Sequence, residues 1–210
     1  MRQMSIKPIL FNTEMVRANL DGRKSCTRRL VKGFVPDDAI WGYTAFTPKG
    51  YISCRGTFAD GYGEKFFKLL YQTGDILYVR ETWKKAPNGY YYYESWQRND
   101  IADITKWKPS IHMPKEAARI WLKVTDVRVK RLQEMWASDV SKEGIRFNKP
   151  TAADEMLKAF AKLWDSTIKK TVLDRYGWDA NPWVWVIEFE RCEKPQNEGE
   201  ASKANPTGQL

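Results

Sequence analysis

The chain has 210 residues, enough for one ordinary domain with insertions and a sizeable core. Its 42% hydrophobic and 14% aromatic content is too apolar for a disordered chain, and its formal charge of +9 points to a polyanionic partner, nucleic acid before a membrane surface. Three dispersed cysteines (Cys26, Cys54, Cys192) and a single histidine, His112, argue against a structural zinc site, and no metal or other cofactor is expected.

An odd set of cysteines and no signal peptide read as a reduced, cytoplasmic protein. No apolar run is long enough to span a bilayer, and no internal repeat is evident. Ten tryptophans are many for this length. Most such rings pack in cores, and exposed ones can stack on bases.

Taken in order, residues 5–10 form a short apolar edge strand that leads into a helix over 11–20. Asn12 can cap that helix, Phe11 can pack on Val16 as a hydrophobic staple, and Gly22 sits where a left-handed C-cap belongs. The run Arg23-Lys24-Ser25-Cys26-Thr27-Arg28-Arg29 brings four cations to the helix end. Lys24 and Thr27 share a face if a helical turn continues, or converge in a tight loop. Cations there also serve as helix-dipole partners or a solvated face.

Residues 30–34 are compatible with a strand. Residues 36–63 carry glycines, prolines and aromatics without a period, and read as an irregular insertion with a hairpin near 43–54. Gly74-Asp75 makes a turn into the β-rich run Ile76-Leu77-Tyr78-Val79, which Arg80-Glu81-Thr82-Trp83 ends. Residues 84–107 hold a tyrosine run and then polar residues: a strand and loop, or an adaptable lid or aromatic stacking wall. Two prolines keep 107–114 extended.

Over 119–131 the apolar positions Ile120, Leu122 and Val124 alternate in one parity and Val127 and Val129 in the other. A strand pair with a bulge or turn at Thr125-Asp126 follows. A short helix over 138–142 is capped by Ser138 and ended by Gly144. Residues 151–164 are the strongest helix, with Thr151 and Asp154 resembling a capping box. Residues 183–189 are apolar in both parities, as a central strand should be. From Lys194 the composition is that of a disordered tail. The expected organisation is one α+β domain over 1–193 and a tail over 194–210.

The stretch Gly22-Arg23-Lys24-x-x-Thr27-x-Arg29 resembles the Gly-x-Lys-x-x-(Glu/Thr)-x-Arg signature of ASCH domains. The resemblance implies a PUA-like β-barrel with flanking helices, here with insertions at 36–70 and 84–107, and an association with RNA. The segments at 74–83, 107–114, 118–127 and 181–186 are similar to a longer ASCH-containing branch of phages and prophages, and the similarity covers most of residues 6–190. Morphogenetic-protein labels are common in that branch.

Members of the family include a small bacterial amidohydrolase that removes acetyl groups from N4-acetylcytidine. Its motif lysine, threonine and arginine fall on Lys24, Thr27 and Arg29, and its glutamate is best matched by Glu143. The resemblance implies attack by the Thr27 hydroxyl with Lys24 as base, Glu143 protonating the leaving amine and Arg29 holding an oxyanion or phosphate. The same residues also suit plain binding, with Lys24 and Arg29 on phosphate, Thr27 capping a turn and Glu143 pairing a cation.

Further binding candidates are Arg23, Arg80, Glu81, Trp83 and His112. Glu81 ends a strand at what would be a barrel mouth, Trp83 can stack on a base, and His112 can serve acid–base chemistry in RNA cleavage. The leading expectation is recognition of RNA, a modified nucleoside or another single-stranded nucleic acid in a basic pocket beside Lys24. A hydrolase acting on a modified nucleoside or on RNA, and a phage assembly or host-interaction protein, are the alternatives. The sequence leaves substrate and oligomeric state open.

Overall fold

The computed structural model describes residues 5–96 and 106–195. Most of the expected tail, residues 196–210, and part of the second insertion, residues 97–105, lie outside the described residues. The architecture mixes helices and sheets as an α+β fold.

Its centre is a five-stranded sheet in the order β1 (Ile6–Leu10), β6 (Ile76–Arg80), β9 (Trp121–Arg131), β10 (Trp183–Cys192) and β2 (Cys26–Leu30). The β1–β6 pair is parallel and the other pairs are antiparallel. Strand β10 is apolar in both parities because both faces of the sheet are covered. Trp185, Ile187 and Phe189 enter one core with Leu77, Leu122 and Val16. Val184 and Val186 enter another with Val140, Phe160 and Trp164.

The first core is closed by α1 (Thr13–Leu20) and by a three-stranded antiparallel sheet of β3 (Ile40–Gly42), β4 (Tyr51–Phe58) and β5 (Gly61–Lys68). The second is closed by α3 (Ala137–Lys142) and α4 (Ala153–Thr167). A β7 (Trp83–Ala86) and β8 (Gly89–Tyr92) hairpin, followed by α2 (Tyr93–Trp96), covers Ile76, Tyr78 and Trp121. A last short helix, α5 (Leu173–Tyr176), precedes β10.

Several expectations hold. Asn12 accepts the Met15 amide hydrogen at 2.9 Å, and Phe11 and Val16 share a core. Gly22 has φ +70°. Strand β1 is a sheet edge, and Gly74 (φ +87°) turns the chain into the buried β6.

Other expectations are corrected. The strand expected at 30–34 lies at Cys26–Leu30, because backbone pairing with Val184 to Glu188 of β10 decides its position. The first insertion is a regular sheet, and its long hairpin joins β4 to β5 beyond the 43–54 stretch. Residues 119–131 contribute one long strand, not a pair. Its register against β10 slips between Asp126 and Val124, so Thr125 is a bulge, which reconciles the two parities. Helix α3 has Trp136 rather than Ser138 at its N-cap, with the Asp139 carboxylate accepting the Trp136 amide hydrogen. Helix α4 has Ala152 at its N-cap, and the Thr151 hydroxyl donates to the Lys149 carbonyl instead of capping.

Among the described residues the strands do not close into a barrel. Strands β1 and β2 remain the two edges of the five-stranded sheet, and the three-stranded sheet is hydrogen-bonded separately. No helix of the described residues is long and apolar enough to cross a membrane.

Candidate functional site

The end of α1 builds the site. The amide hydrogens of Arg23 and Lys24 both reach the Ala18 carbonyl, and that of Gly22 reaches Asn19, a left-handed exit that sends the chain inward. Lys24 is thereby buried, with its side chain 1% exposed. Its ammonium donates to the Cys26 carbonyl, the Glu143 carbonyl and Glu143 Oε2, each at 2.8 Å. An ammonium has three donors, so all of its hydrogen-bonding capacity is used inside the protein.

Glu143 follows α3, and Gly144 (φ +91°) permits the close approach. A Cβ on Gly144 would lie 2.6 Å from Ala18 Cβ and 3.0 Å from Lys24 Cβ. The Arg23 guanidinium donates to the Gly144 carbonyl and pairs with Asp21, which pins this junction from behind.

Strand β2 carries the remaining groups on alternate faces. Arg28 is buried, donating to Glu143 Oε1 at 3.0 Å and to Asp139 Oδ2 at 3.3 Å, with its guanidinium 5.7 Å from the Phe160 ring centre. Arg29, on the other face with Thr27, donates to the Thr27 hydroxyl at 2.9 Å and to the Leu10 carbonyl at 3.0 Å. Its guanidinium stands 5.5 Å from the Phe11 ring centre. Among the described residues no carboxylate lies within salt-bridge distance of Arg29.

Burial is the main influence on the charges here. It lowers the Lys24 ammonium from its ordinary value against the opposing pull of Glu143, and it lowers the Arg29 guanidinium likewise. Burial, reinforced by the Glu143 charge, pushes the Cys26 thiol up to about 12, so Cys26 is an inert thiol rather than a nucleophile.

A cavity of about 940 Å³ runs along β2. Lys24, Thr27, Arg28, Arg29 and Glu143 line its polar part. Phe11, Tyr71, Phe160, Trp164 and Trp185 supply aromatic walls. That combination of apolar walls and a few convergent polar groups suits a small organic ligand.

Of the residues singled out in the sequence, Lys24, Thr27, Arg29 and Glu143 therefore meet at one cavity. The others lie elsewhere. Arg23 sits behind the junction, and Arg80 donates to the Ile111 carbonyl. Glu81 is held by two bonds from Arg119, at 2.9 and 2.8 Å, with burial raising its carboxyl despite that partner. Trp83, the first residue of β7, is buried against Ile76, Tyr78 and Trp121, and His112 is exposed in a single 3-10 turn.

Arg28 was not among the sequence candidates. Placing the strand at 30–34 hid the alternation that separates Arg28 from Thr27 and Arg29. Phe160 and Trp164 pack in the second core and also face the cavity.

No protein-family model and no curated protein matches this chain. Among solved structures it is similar to the crystal structure of an ASCH domain from Lactobacillus crispatus JV V101, with 13% identity, 89% of this chain and 79% of that chain covered, and a TM-score of 0.36.

Proposed function

We propose that the chain is an ASCH-type domain that recognises RNA, or a modified nucleoside derived from it, in the cavity along β2. In this reading the five- and three-stranded sheets are the two walls of an open, PUA-like arrangement with α1 and α4 as its flanking helices. The phage-type branch is suggested by the sequence resemblance at 74–83 and 107–114.

The observation that carries the proposal is the charge count at the cavity. Glu143 and Asp139 neutralise Lys24 and Arg28, and Arg29 is left as a half-buried cation with no carboxylate in salt-bridge distance among the described residues. Burying a cation without a counter-charge is unfavourable, and an incoming phosphate supplies the missing anion with the fork geometry a guanidinium favours. The aromatic walls then offer faces to a base.

Binding of a fluorescein-labelled single-stranded RNA across a salt series tests this. Affinity is expected to fall linearly on logarithmic axes, by roughly 0.7 per phosphate contact. Arg29→Ala should weaken binding and shallow that slope. Absence of binding at low salt, or indifference to salt, overturns the reading.

A hydrolase reading is favoured by one further observation: Thr27, Lys24 and Glu143 border the same cavity. The lowered Lys24 ammonium goes in the direction a base requires. Its three acceptors, however, hold it as an ammonium, and Thr27 is hydrogen-bonded to Arg29, not to Lys24. Recognition without turnover is the better-supported reading.

A further inference from the structure

Strand β5 carries side chains that the fold itself does not use. On its odd-numbered face Phe67 reaches the core: its ring lies 5.1 Å from that of Trp41, which in turn packs on Trp185. The even-numbered residues point the other way. There Tyr62 is 69% exposed and Phe66 is 39% exposed.

Their cross-strand partners on β4 are small, Thr57 opposite Tyr62 and Ser53 opposite Phe66, so neither ring is covered from its own sheet. Four residues of strand separate the two rings by ~14 Å, about the length of four stacked nucleotides at ~3.4 Å each.

The same strand leads directly to the cavity. Phe67 and Lys68 at the end of β5, and Leu69 and Leu70 beyond it, border the cavity. The charges on this face are complementary to a phosphate backbone. In the even-numbered row Glu64 stands opposite Arg55 of β4. Lys68, in the same even-numbered row, has no carboxylate within salt-bridge distance among the described residues and lies at the cavity rim.

We propose that the outward face of β4 and β5 is a stacking track for single-stranded RNA, with bases on Tyr62 and Phe66 and phosphates over Lys68, leading into the cavity. This rests on the nucleic-acid reading of the cavity. It gives the first insertion a role: it lengthens the bound segment beyond the cavity. Stacking faces of this kind tolerate any base, so the track adds affinity rather than sequence preference.

The test compares labelled oligouridylates of three and ten nucleotides on the full chain. The wild type should bind the longer one at least about 25-fold more tightly, about fivefold for each of the two rings. Tyr62→Ala/Phe66→Ala should lose at least about fivefold per ring on the ten-mer, keep its three-mer affinity, and melt like the wild type. Tyr62→Trp, which keeps a stacking face, should retain the gain.

A wild type that binds both lengths equally, or a double variant that keeps the length gain, overturns the track while leaving the cavity reading intact. A concentration-dependent dimer that the double variant abolishes also overturns it, because the exposed edge strand β5 would then be a contact between two copies. Failure of the wild type to bind either oligomer is a failure of the cavity reading itself, and the track falls with it.

Discussion

Lys24 Nζ and Glu143 Oε2 lie 2.8 Å apart although 119 residues separate them in the chain. The pair joins the exit of α1 to the exit of α3, and Arg28 approaches the same carboxylate from β2 at 3.0 Å. One carboxylate thus answers two buried cations. Removing the carboxylate and removing either cation are different perturbations.

Glu143→Gln should destabilise the protein by about 3–5 kcal/mol, since two buried cations lose their shared counter-charge. Lys24→Met should cost clearly less, because Glu143 keeps Arg28. Denaturant melts of the two variants check this. Equal losses would show that Arg28 does not share the load.

Stability should depend on pH through Lys24. Its folded value is lowered by burial from the ordinary 10.5, so between the lowered value and 10.5 the unfolded chain binds more protons than the folded one. Stability therefore rises with pH across that window. The stability difference between wild type and Lys24→Met, followed from pH 7 to pH 10.5, should move in favour of the wild type as pH increases. A flat difference contradicts the burial argument.

Gly144→Ala should be much more damaging than Gly22→Ala. Both glycines have positive φ, which an alanine adopts at a cost of about 1–2 kcal/mol. At Gly22 nothing lies within 4 Å of the added methyl, whereas at Gly144 it would meet Ala18 at 2.6 Å. Thermal melts should place Gly144→Ala well below Gly22→Ala. Its RNA affinity should fall as well, because Glu143 moves with the junction.

Trp185→Ala should cost about 3–5 kcal/mol, as for a large aromatic in a packed core. It should also enlarge the cavity, which Trp185 borders. Nucleotide binding by a refolded, correctly melting sample then reports how much of the affinity comes from that wall.

Incubation with N4-acetylcytidine separates recognition from hydrolysis. The expected outcome is no release of acetate above background. Turnover that disappears in Thr27→Ala and partly survives in Thr27→Ser would instead establish the hydrolase reading, since a positioned nucleophile and base raise rates far above assay noise.

Local signals in the sequence were sufficient for the elements whose stability is local. The Asn12 cap, the left-handed Gly22, the Gly74-Asp75 turn and the unbroken apolar run of β10 each follow from interactions within a few residues, or from burial on both faces. The α+β class follows from the succession of such elements. The opposite parities of Ile120 and Val127 even revealed the bulge at Thr125, although whether one strand or two carried it did not follow.

Tertiary structure decided what depends on distant partners. The stretch Cys26-Thr27-Arg28-Arg29-Leu30 has too many charges to announce a strand, and only pairing with β10 makes it one. That pairing puts Thr27 and Arg29 on one face and Arg28 on the other, so the alternation of site residues was invisible until the partner was known. The resemblance marked Glu143, but its sharing between Lys24 and Arg28 required α3 to pack against β2. Barrel closure is likewise a matter of long-range hydrogen bonds between edge strands. No short-range periodicity encodes such bonds, and the physical reason is that an edge strand presents the same backbone donors and acceptors whether it is paired or free.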